Sequence, residues 1–432
     1  MTNDVFHNNE LLDREALDAL QGVRLKNTVF QASKSRFYRD QLFRAGVRIA
    51  DINTVDDIRK LPFTTKDDLR NQYPDGMLAM SVEQMNRMHA SSGTTGSPTC
   101  VFYTKNDIQT WADLMARCMN MVGIRREDTF QNMSGYGLFT GGLGIHYGAE
   151  RLGCLTIPAG AGNSKRQLKL LEDFQVSAIH IIPSYALHLG TVKEELGYGA
   201  DRLNVRVALI GAEPHTEAIR KRIEDVWGLK AYNSYGLSEM NGPGVAFECL
   251  EQSGMHIWED AYLAEIVHPD TGRPLPDGEV GELVITTLCR EGMPLIRYRT
   301  KDLTRFIPGD CPCGRTHRRL DRIMGRADDM IILKGVNIYP MQVEQVLMSI
   351  PEVGQNYLIV LERDGYLDQM RVKVEVKEEY FVEDMRELKS LQSRISSRLR
   401  DEILITARID LVEQNSLPKS EGKAQRVLDL RE

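Results

Sequence analysis

The sequence predicts an α/β protein, with a large multi-layer N-terminal domain built on parallel sheets, a β subdomain, and a small α+β C-terminal domain. Three observations carry this. Short apolar runs alternate with helical periodicity through the first half, the pattern of helices layered on a parallel sheet. After Gly254 the texture shifts to closely spaced strand candidates and turns. The C-terminal stretch then holds a set of strands and helices complete enough to fold alone. A chain of 432 residues is in any case too long for one ordinary core.

The elements follow in order. Leu11, Leu12, Ala16, Leu17 and Leu20 recur at helical spacing, and Thr64-Thr65-Lys66-Asp67-Asp68 has the composition of a helix start. Val101–Tyr103 is a short strand, and Asn106–Met121 a helix. Ala178–Pro183 and Val205–Gly211 are apolar enough to be buried strands. Tyr262–Val267, Glu282–Thr287 and Leu303–Phe306 are strands of the β subdomain, with turns at Asp270-Thr271-Gly272 and Pro276-Asp277-Gly278. Beyond Arg326-Ala327-Asp328-Asp329 come a strand Met330–Leu333, a helix Met341–Ser349, strands Tyr357–Leu361 and Val372–Val376, and a charged helix Phe381–Ile403. There are no internal repeats or low-complexity tracts.

Composition narrows the function. Hydrophobic residues make up 42% and charged residues 27%, a globular profile. The net charge of −7 is not gathered into a tail, so nucleic acid is not the expected partner. The apolar runs, such as Ala178–Ile182, are far shorter than the ~20 residues of a membrane span. Seven cysteines at irregular spacing argue against a disulfide framework. With no secretory signal at the N-terminus, the cytoplasm is the expected compartment.

The segment Ser91-Ser92-Gly93-Thr94-Thr95-Gly96-Ser97-Pro98-Thr99 is the strongest local signal. Glycines let a backbone turn several N–H groups toward one point, and hydroxyls add rotatable donors. Together they suit an anion with many oxygens. A flexible polar loop would have the same composition, so the other motifs decide.

Those motifs stand in a definite order. They are Gly211-Ala212-Glu213-Pro214, Tyr235-Gly236-Leu237-Ser238-Glu239, Tyr298-Arg299-Thr300-Lys301-Asp302, Gly325-Arg326-Ala327-Asp328-Asp329 and Leu417-Pro418-Lys419-Ser420-Glu421-Gly422-Lys423. With the Ser/Gly/Thr loop they make the chain, from about Met88 onward, resemble the acyl-adenylate-forming ligases, most closely their phenylacetate–coenzyme A ligase branch.

The resemblance implies roles for these residues. Ser92, Gly93, Thr94, Thr95 and Gly96 would hold the triphosphate of ATP. Many relatives end this loop in Pro-Lys, whereas here Thr99 follows Pro98, as in the phenylacetate branch. One cation is thereby lost, which shifts the burden to magnesium and a lysine from elsewhere. Gly211, Ala212 and Glu213 would face adenine, beyond the carboxyl end of a strand. Tyr235 and Gly236 would pack on the nucleotide, Ser238 would reach a phosphate or the acyl carboxylate, and Glu239 would bind magnesium. Asp302 would take both ribose hydroxyls, and Arg326 would lie near the nucleotide.

The resemblance also implies a division into domains at 1–326 and 327–432. The smaller domain would be mobile, with Asp328 as hinge and the catalytic Lys423 at its far end. Lys419 competes with Lys423 for that role. Lys334 and Gly335 would come to the coenzyme A side. Tyr136, Phe139, Gly141 and Gly142 would line the acyl pocket, the aromatics flanking a ring and the glycines leaving it room; a helix packing through its aromatics is the alternative. The run Gly135–Gly144 imitates a dinucleotide fingerprint, but no clean strand precedes it and no acid follows at the right distance. A homodimer is the expected assembly.

Cys311-Pro312-Cys313-Gly314 is a tight Cys-x-Cys turn, and Cys249 and His256 supply a second pair. Four such ligands are the usual count for a structural zinc ion. His317 competes with His256, and cysteines that are merely buried hydrophobes are the alternative.

The expected reaction has two steps, formation of an aryl adenylate from ATP and an aryl acid, then transfer to coenzyme A. Transfer to a carrier protein or an amine, another aryl or indolyl acid, and a non-catalytic nucleotide-binding module are the rivals.

Overall fold

The computed structural model of the protein describes residues 5–91, 98–199, 201–333, 336–364, 367–381, 385–417 and 426–431. The chain forms two compact units. One comprises Met1–Ile182, Lys193–Ala212 and Leu229–Arg322, the other Pro183–Val192, Glu213–Gly228 and Ile323–Glu432. This division differs from a boundary at 326/327 in where it puts 323–326 and the two internal segments. Among the described residues no helix is long and apolar enough to cross a membrane.

The first unit is built on a nine-stranded sheet. Strands Leu155–Ile157, Thr129–Asn132, Ala178–Ile181, Val207–Gly211 and Lys230–Leu237 lie side by side and parallel. Strand Ala178–Ile181 is buried along its whole length, as a two-faced parallel strand must be. The remaining strands, Gly242–Glu248, Met255–Ile257, Arg319–Leu320 and Phe306–Ile307, continue the sheet antiparallel. The sheet is therefore mixed, and part of the expected β subdomain is an extension of it. A separate antiparallel sheet contains Tyr262–Val267, Gly281–Thr287 and Tyr298–Thr304. The strand expected at Leu303–Phe306 is thus split between two sheets.

Helices Lys105–Met121 and Gly141–Leu152 pack against each other through two glycines one helical turn apart. A Cβ at Gly144 would lie 2.2 Å from the Trp111 ring, and one at Gly148 would lie 2.3 Å from Met115 Cβ. Only a bare backbone permits this approach.

In the second unit, strands Val353–Asp364 and Leu367–Val376 form a hairpin, flanked in parallel by Val427–Asp429 and Arg408–Val412. Helix Met385–Ile403 buries Leu391, Ile395, Leu399 and Ile403, a single stripe at four-residue spacing. These side chains share one core with Ile359, Val372, Val374 and Leu347. Phe381 itself is not helical and follows a 3-10 turn Glu378–Tyr380, and the described helix runs Met385–Ile403.

Candidate functional site

Two motifs lie at neighbouring strand ends. Gly211 closes its strand opposite Ser234, and a Cβ there would meet the Ser234 carbonyl oxygen at 2.4 Å. The next residue, Ala212, is exposed and has φ +68°, a left-handed conformation that costs a non-glycine residue energy. Strain thus sits at the carboxyl edge of the parallel strands, where open α/β sheets bind ligands.

Tyr235 and Asp302 come from different sheets and meet. The buried Tyr235 hydroxyl donates to Asp302 Oδ2 at 2.6 Å. Asp302 is further placed by its own N–H, which donates to Thr300 Oγ1 at 3.0 Å, while that hydroxyl donates to the Leu283 carbonyl at 2.7 Å. Lys301 between them has φ +67°. The tyrosine expected to pack on a nucleotide is therefore also the group that orients the acid expected at the ribose.

Ser238 and Glu239 are both buried, on the turn after strand Lys230–Leu237. Ser238 Oγ lies 3.3 Å from Thr140 Oγ1, which joins this motif to the start of helix Gly141–Leu152. The turn is held from behind by Arg290, whose guanidinium donates to the carbonyls of Glu239 at 2.7 Å, Met240 at 3.0 Å and Phe102 at 3.3 Å. Tyr103 adds a hydroxyl to the Met240 carbonyl at 3.0 Å. The Glu239 carboxylate accepts no hydrogen bond from a described residue; Lys66 Nζ stands 3.9 Å from its Oε1. Arg290, Tyr103, Thr140 and Lys66 were not singled out from sequence, because none lies in a segment whose motif points to this turn.

The glycine-rich run follows strand Thr129–Asn132, which the sequence concealed behind buried polar residues. Gln131 Nε2 donates to Gln167 Oε1 at 2.7 Å and Asn132 Nδ2 to the Gly142 carbonyl at 2.8 Å, so both amide NH2 groups find acceptors inside. Tyr136 accepts from Asn132 Nδ2 at 3.0 Å and lies 3.3 Å from His146 Nδ1. Tyr136 and Phe139 are both partly exposed, at 37% and 46%. Gly141 and Gly142 each lie close to a neighbouring part of the chain. A Cβ at Gly142 would meet the Gly135 carbonyl at 2.4 Å, and one at Gly141 the Phe139 ring at 3.0 Å. Gly142 thus lets two backbone segments approach closely, and Gly141 borders the Phe139 ring.

Ser91 and Thr99 form the neck of the Ser/Gly/Thr loop, at the end of the hairpin Arg87–Ala90 and Cys100–Tyr103. The Ser91 N–H donates to the Thr99 carbonyl at 3.1 Å, and the Thr99 N–H to Ser91 Oγ at 3.0 Å. Ser92, Gly93, Thr94, Thr95 and Gly96 lie outside the described residues, as do Lys334, Gly335, Lys419 and Lys423. In the second unit, Arg326 makes a two-pronged pair with Asp328, both contacts at 2.9 Å. Glu213 accepts from the Ser184 hydroxyl at 3.1 Å.

The sheet also assembles the Cys/His group. Glu248 pairs with Met255, and Arg319 with His256, so Cys249, His256 and the Cys311–Cys313 turn meet across neighbouring strands. The four ligand atoms lie within 4.8 Å of one another. Cys249 Sγ is 3.6 Å from Cys311 Sγ, and Cys313 Sγ is 3.3 Å from His256 Nε2. Donors around a tetrahedral zinc ion stand about 3.3–3.8 Å apart, so the set fits that ion. His256 Nδ1–H donates to the His317 carbonyl at 2.8 Å, which turns the Nε2 lone pair toward the thiols. His317 has both nitrogens engaged, Nε2 with the Asn9 carbonyl at 2.9 Å and Nδ1 with the Glu259 N–H at 3.1 Å. It is a brace and not a ligand candidate.

Strand ends that carry a strained turn and a buried glutamate, with an acid from a second sheet held by a tyrosine of the first, form a candidate ligand site. The chain belongs to the AMP-binding enzyme family, whose profile matches residues 50–289, with the AMP-binding enzyme C-terminal domain at 335–431. It is 47% identical to phenylacetate-coenzyme A ligase of Thermus thermophilus, over 98% of each chain. It is 46% identical to the protein of that name in Escherichia coli, over 100% of this chain and 99% of the relative. Among solved structures, 2-hydroxyisobutyryl-CoA ligase in complex with R3-HIB-AMP superposes with a TM-score of 0.92 at 29% identity, covering 98% of this chain and 91% of the other.

Proposed function

We propose that phenylacetate is the acid this protein activates. The protein is an AMP-forming acid–CoA ligase. The observation that carries the choice of acid is its identity of 44–47% with four phenylacetate-coenzyme A ligases. In this reading the carboxylate attacks the α-phosphorus of ATP and pyrophosphate leaves, giving an acyl-adenylate. The thiol of coenzyme A then attacks the acyl carbon, and AMP leaves.

A carboxylate approaching a polyphosphate meets like charge, so the protein's task is to position and neutralise. Asp302, oriented by Tyr235, is assigned to the ribose hydroxyls. The turn Gly211–Glu213 is assigned to adenine, Ser238 to a phosphate or the acyl carboxylate, and Arg326 to the nucleotide. Ser92–Gly96 would hold the triphosphate, and Lys423 would bridge acyl carboxylate and α-phosphate. Tyr136 and Phe139 are assigned to the acyl side, Lys334 and Gly335 to coenzyme A, and Asp328 to the hinge. Glu239 offers one buried carboxylate that accepts no hydrogen bond among the described residues, which suits it to hold a magnesium ion. That ion would neutralise phosphate charge. The Cys249–His256–Cys311–Cys313 set would hold zinc in a structural role, four protein ligands leaving no open position.

The test supplies purified protein with ATP, magnesium and a panel of phenylacetate, other aryl acids and indolyl acids, following AMP and pyrophosphate. Coenzyme A, an acyl carrier protein and a simple amine are added in separate arms. AMP formation greatest with phenylacetate, and a thioester only with coenzyme A, is the expected outcome. No AMP with any acid overturns the assignment. Light scattering reads the expected homodimer.

A further inference from the structure

A lysine far from every nucleotide motif in sequence stands beside the buried glutamate. We infer that Lys66 is a phosphate-binding residue of the first half-reaction, supplying a cation to the polyphosphate of ATP and to departing pyrophosphate. This rests on the ligase reading above and adds a residue to it.

Three observations support the role. The first is geometric. Lys66 Nζ lies 3.9 Å from Glu239 Oε1, too far for a direct hydrogen bond. Neither side chain has another polar contact among the described residues. A buried carboxylate and a nearby ammonium that stop short of each other leave both with bonding capacity for a third group. The ammonium is also reachable, since the Lys66 side chain is 41% exposed against 8% for Glu239.

The second concerns how Lys66 is held. Two residues upstream, Thr64 is fully buried and pinned to the segment leading into strand Tyr298–Thr304. Its N–H donates to the Arg297 carbonyl at 3.0 Å, and its own carbonyl accepts from the Arg299 N–H at 2.9 Å. Its hydroxyl donates to the Ile296 carbonyl at 2.6 Å and meets Tyr38 Oη at 2.8 Å. The same strand carries Asp302. Lys66 is thus fixed to the framework that carries the ribose acid, not left on a loose surface turn. Helix stability does not explain it: Lys66 is the first residue of helix Lys66–Asn71, where the helix dipole disfavours a cation.

The third is what the Ser/Gly/Thr loop lacks. It ends in Thr99, and Thr99 is fully buried with its hydroxyl unpartnered among the described residues. A solvated ammonium has no place at that position. A cation for the outer phosphates must come from another segment, and Lys66 is the Lys or Arg that approaches the Glu239 carboxylate within 4.0 Å among the described residues.

The experiment compares Lys66→Ala and Lys66→Arg with the unaltered protein in two assays. One is pyrophosphate release from ATP and phenylacetate, with the KM for ATP. The other is thioester formation from supplied phenylacetyl-adenylate and coenzyme A, a substrate pair with no outer phosphates. Lys66→Ala should lower kcat/KM for ATP about a hundredfold, with Lys66→Arg recovering most of it. The rate from supplied adenylate should stay within about twofold, which also shows that the variant folds. Unchanged ATP kinetics in Lys66→Ala overturn the inference, and so does an equal fall in both assays, the mark of a structural lysine. If the unaltered protein itself makes no AMP, the ligase reading falls, and this inference falls with it.

Discussion

The Tyr235 hydroxyl lies 2.6 Å from Asp302 Oδ2, a buried contact between two sheets whose partners are far apart in the chain. A phenol donating to a carboxylate fixes which way the acid faces, and a charge-assisted bond of this kind contributes about 1.5–3 kcal/mol. Tyr235→Phe keeps the ring and removes the donor. The KM for ATP should rise about tenfold with kcat changed much less, as expected when ground-state and transition-state binding are lost together. Pyrophosphate release against ATP concentration measures both; a fall in kcat alone would place Tyr235 at the reacting atoms instead.

Lys423 is assigned to the first half-reaction alone. Lys423→Ala should slow pyrophosphate release by at least about a hundredfold, while thioester formation from supplied adenylate continues near its normal rate. Lys419→Ala should do neither. If Lys419→Ala is the damaging change, the two lysines exchange roles.

The Cys/His group braces the N-terminal segment as well as its own turn. Arg315, two residues past Cys313, pairs with buried Glu10 at 2.7 Å, and the Thr316 N–H donates to the Glu10 carbonyl at 3.1 Å. Cys311→Ser should reduce bound zinc, read by elemental analysis, and lower the melting temperature by several degrees. Limited proteolysis should then begin near residues 7–14. Full stability without zinc would mean that the thiols act only as packed hydrophobes.

His180 sits inside the parallel sheet with Nδ1 2.7 Å from Ser134 Oγ, and burial pushes its pKa down to about 3. In the unfolded chain a histidine titrates near ~6.5. Below that pH the unfolded state binds a proton that the folded state refuses. Stability from this group is complete above pH ~6.5 and declines toward pH 3, by up to about 1.4 kcal/mol per pH unit. Urea unfolding at several pH values should show that slope, and His180→Gln should flatten it.

The contact between helices Lys105–Met121 and Gly141–Leu152 leaves no space at Gly148, where a new Cβ would lie 2.3 Å from Met115 Cβ. Gly148→Val should cost about 3 kcal/mol through overpacking, with the helices forced apart. Denaturant midpoints check this. A cost under about 1 kcal/mol would mean that the interface yields easily.

Much of the site was legible before folding because its chemistry is carried by short contiguous motifs. Gly211–Glu213 and Tyr235–Glu239 each span the carboxyl end of a strand, so strand periodicity alone places them at an edge of the kind where ligands bind. The Cys-x-Cys turn likewise announced two members of the Cys/His group. What stayed hidden was the supporting shell. Arg290 holds the Glu239 turn through backbone carbonyls, which leave no trace in the partner's sequence. Strand Thr129–Asn132 was obscured because its buried amides bond within the protein, and polar letters in a strand look like a loop.

By itself, then, the order of residues determined the alternating layers, the succession of family motifs and the residue types of the Cys/His group, since these depend on neighbours along the chain. Tertiary structure alone decided that His256 and not His317 faces the thiols, that Tyr235 orients Asp302, that Gly142 lies against the Gly135 carbonyl, and that Lys66 stands by Glu239. Each of those is a contact between segments distant in sequence, set by strand register and side-chain packing, and register is a property that only the folded sheet possesses.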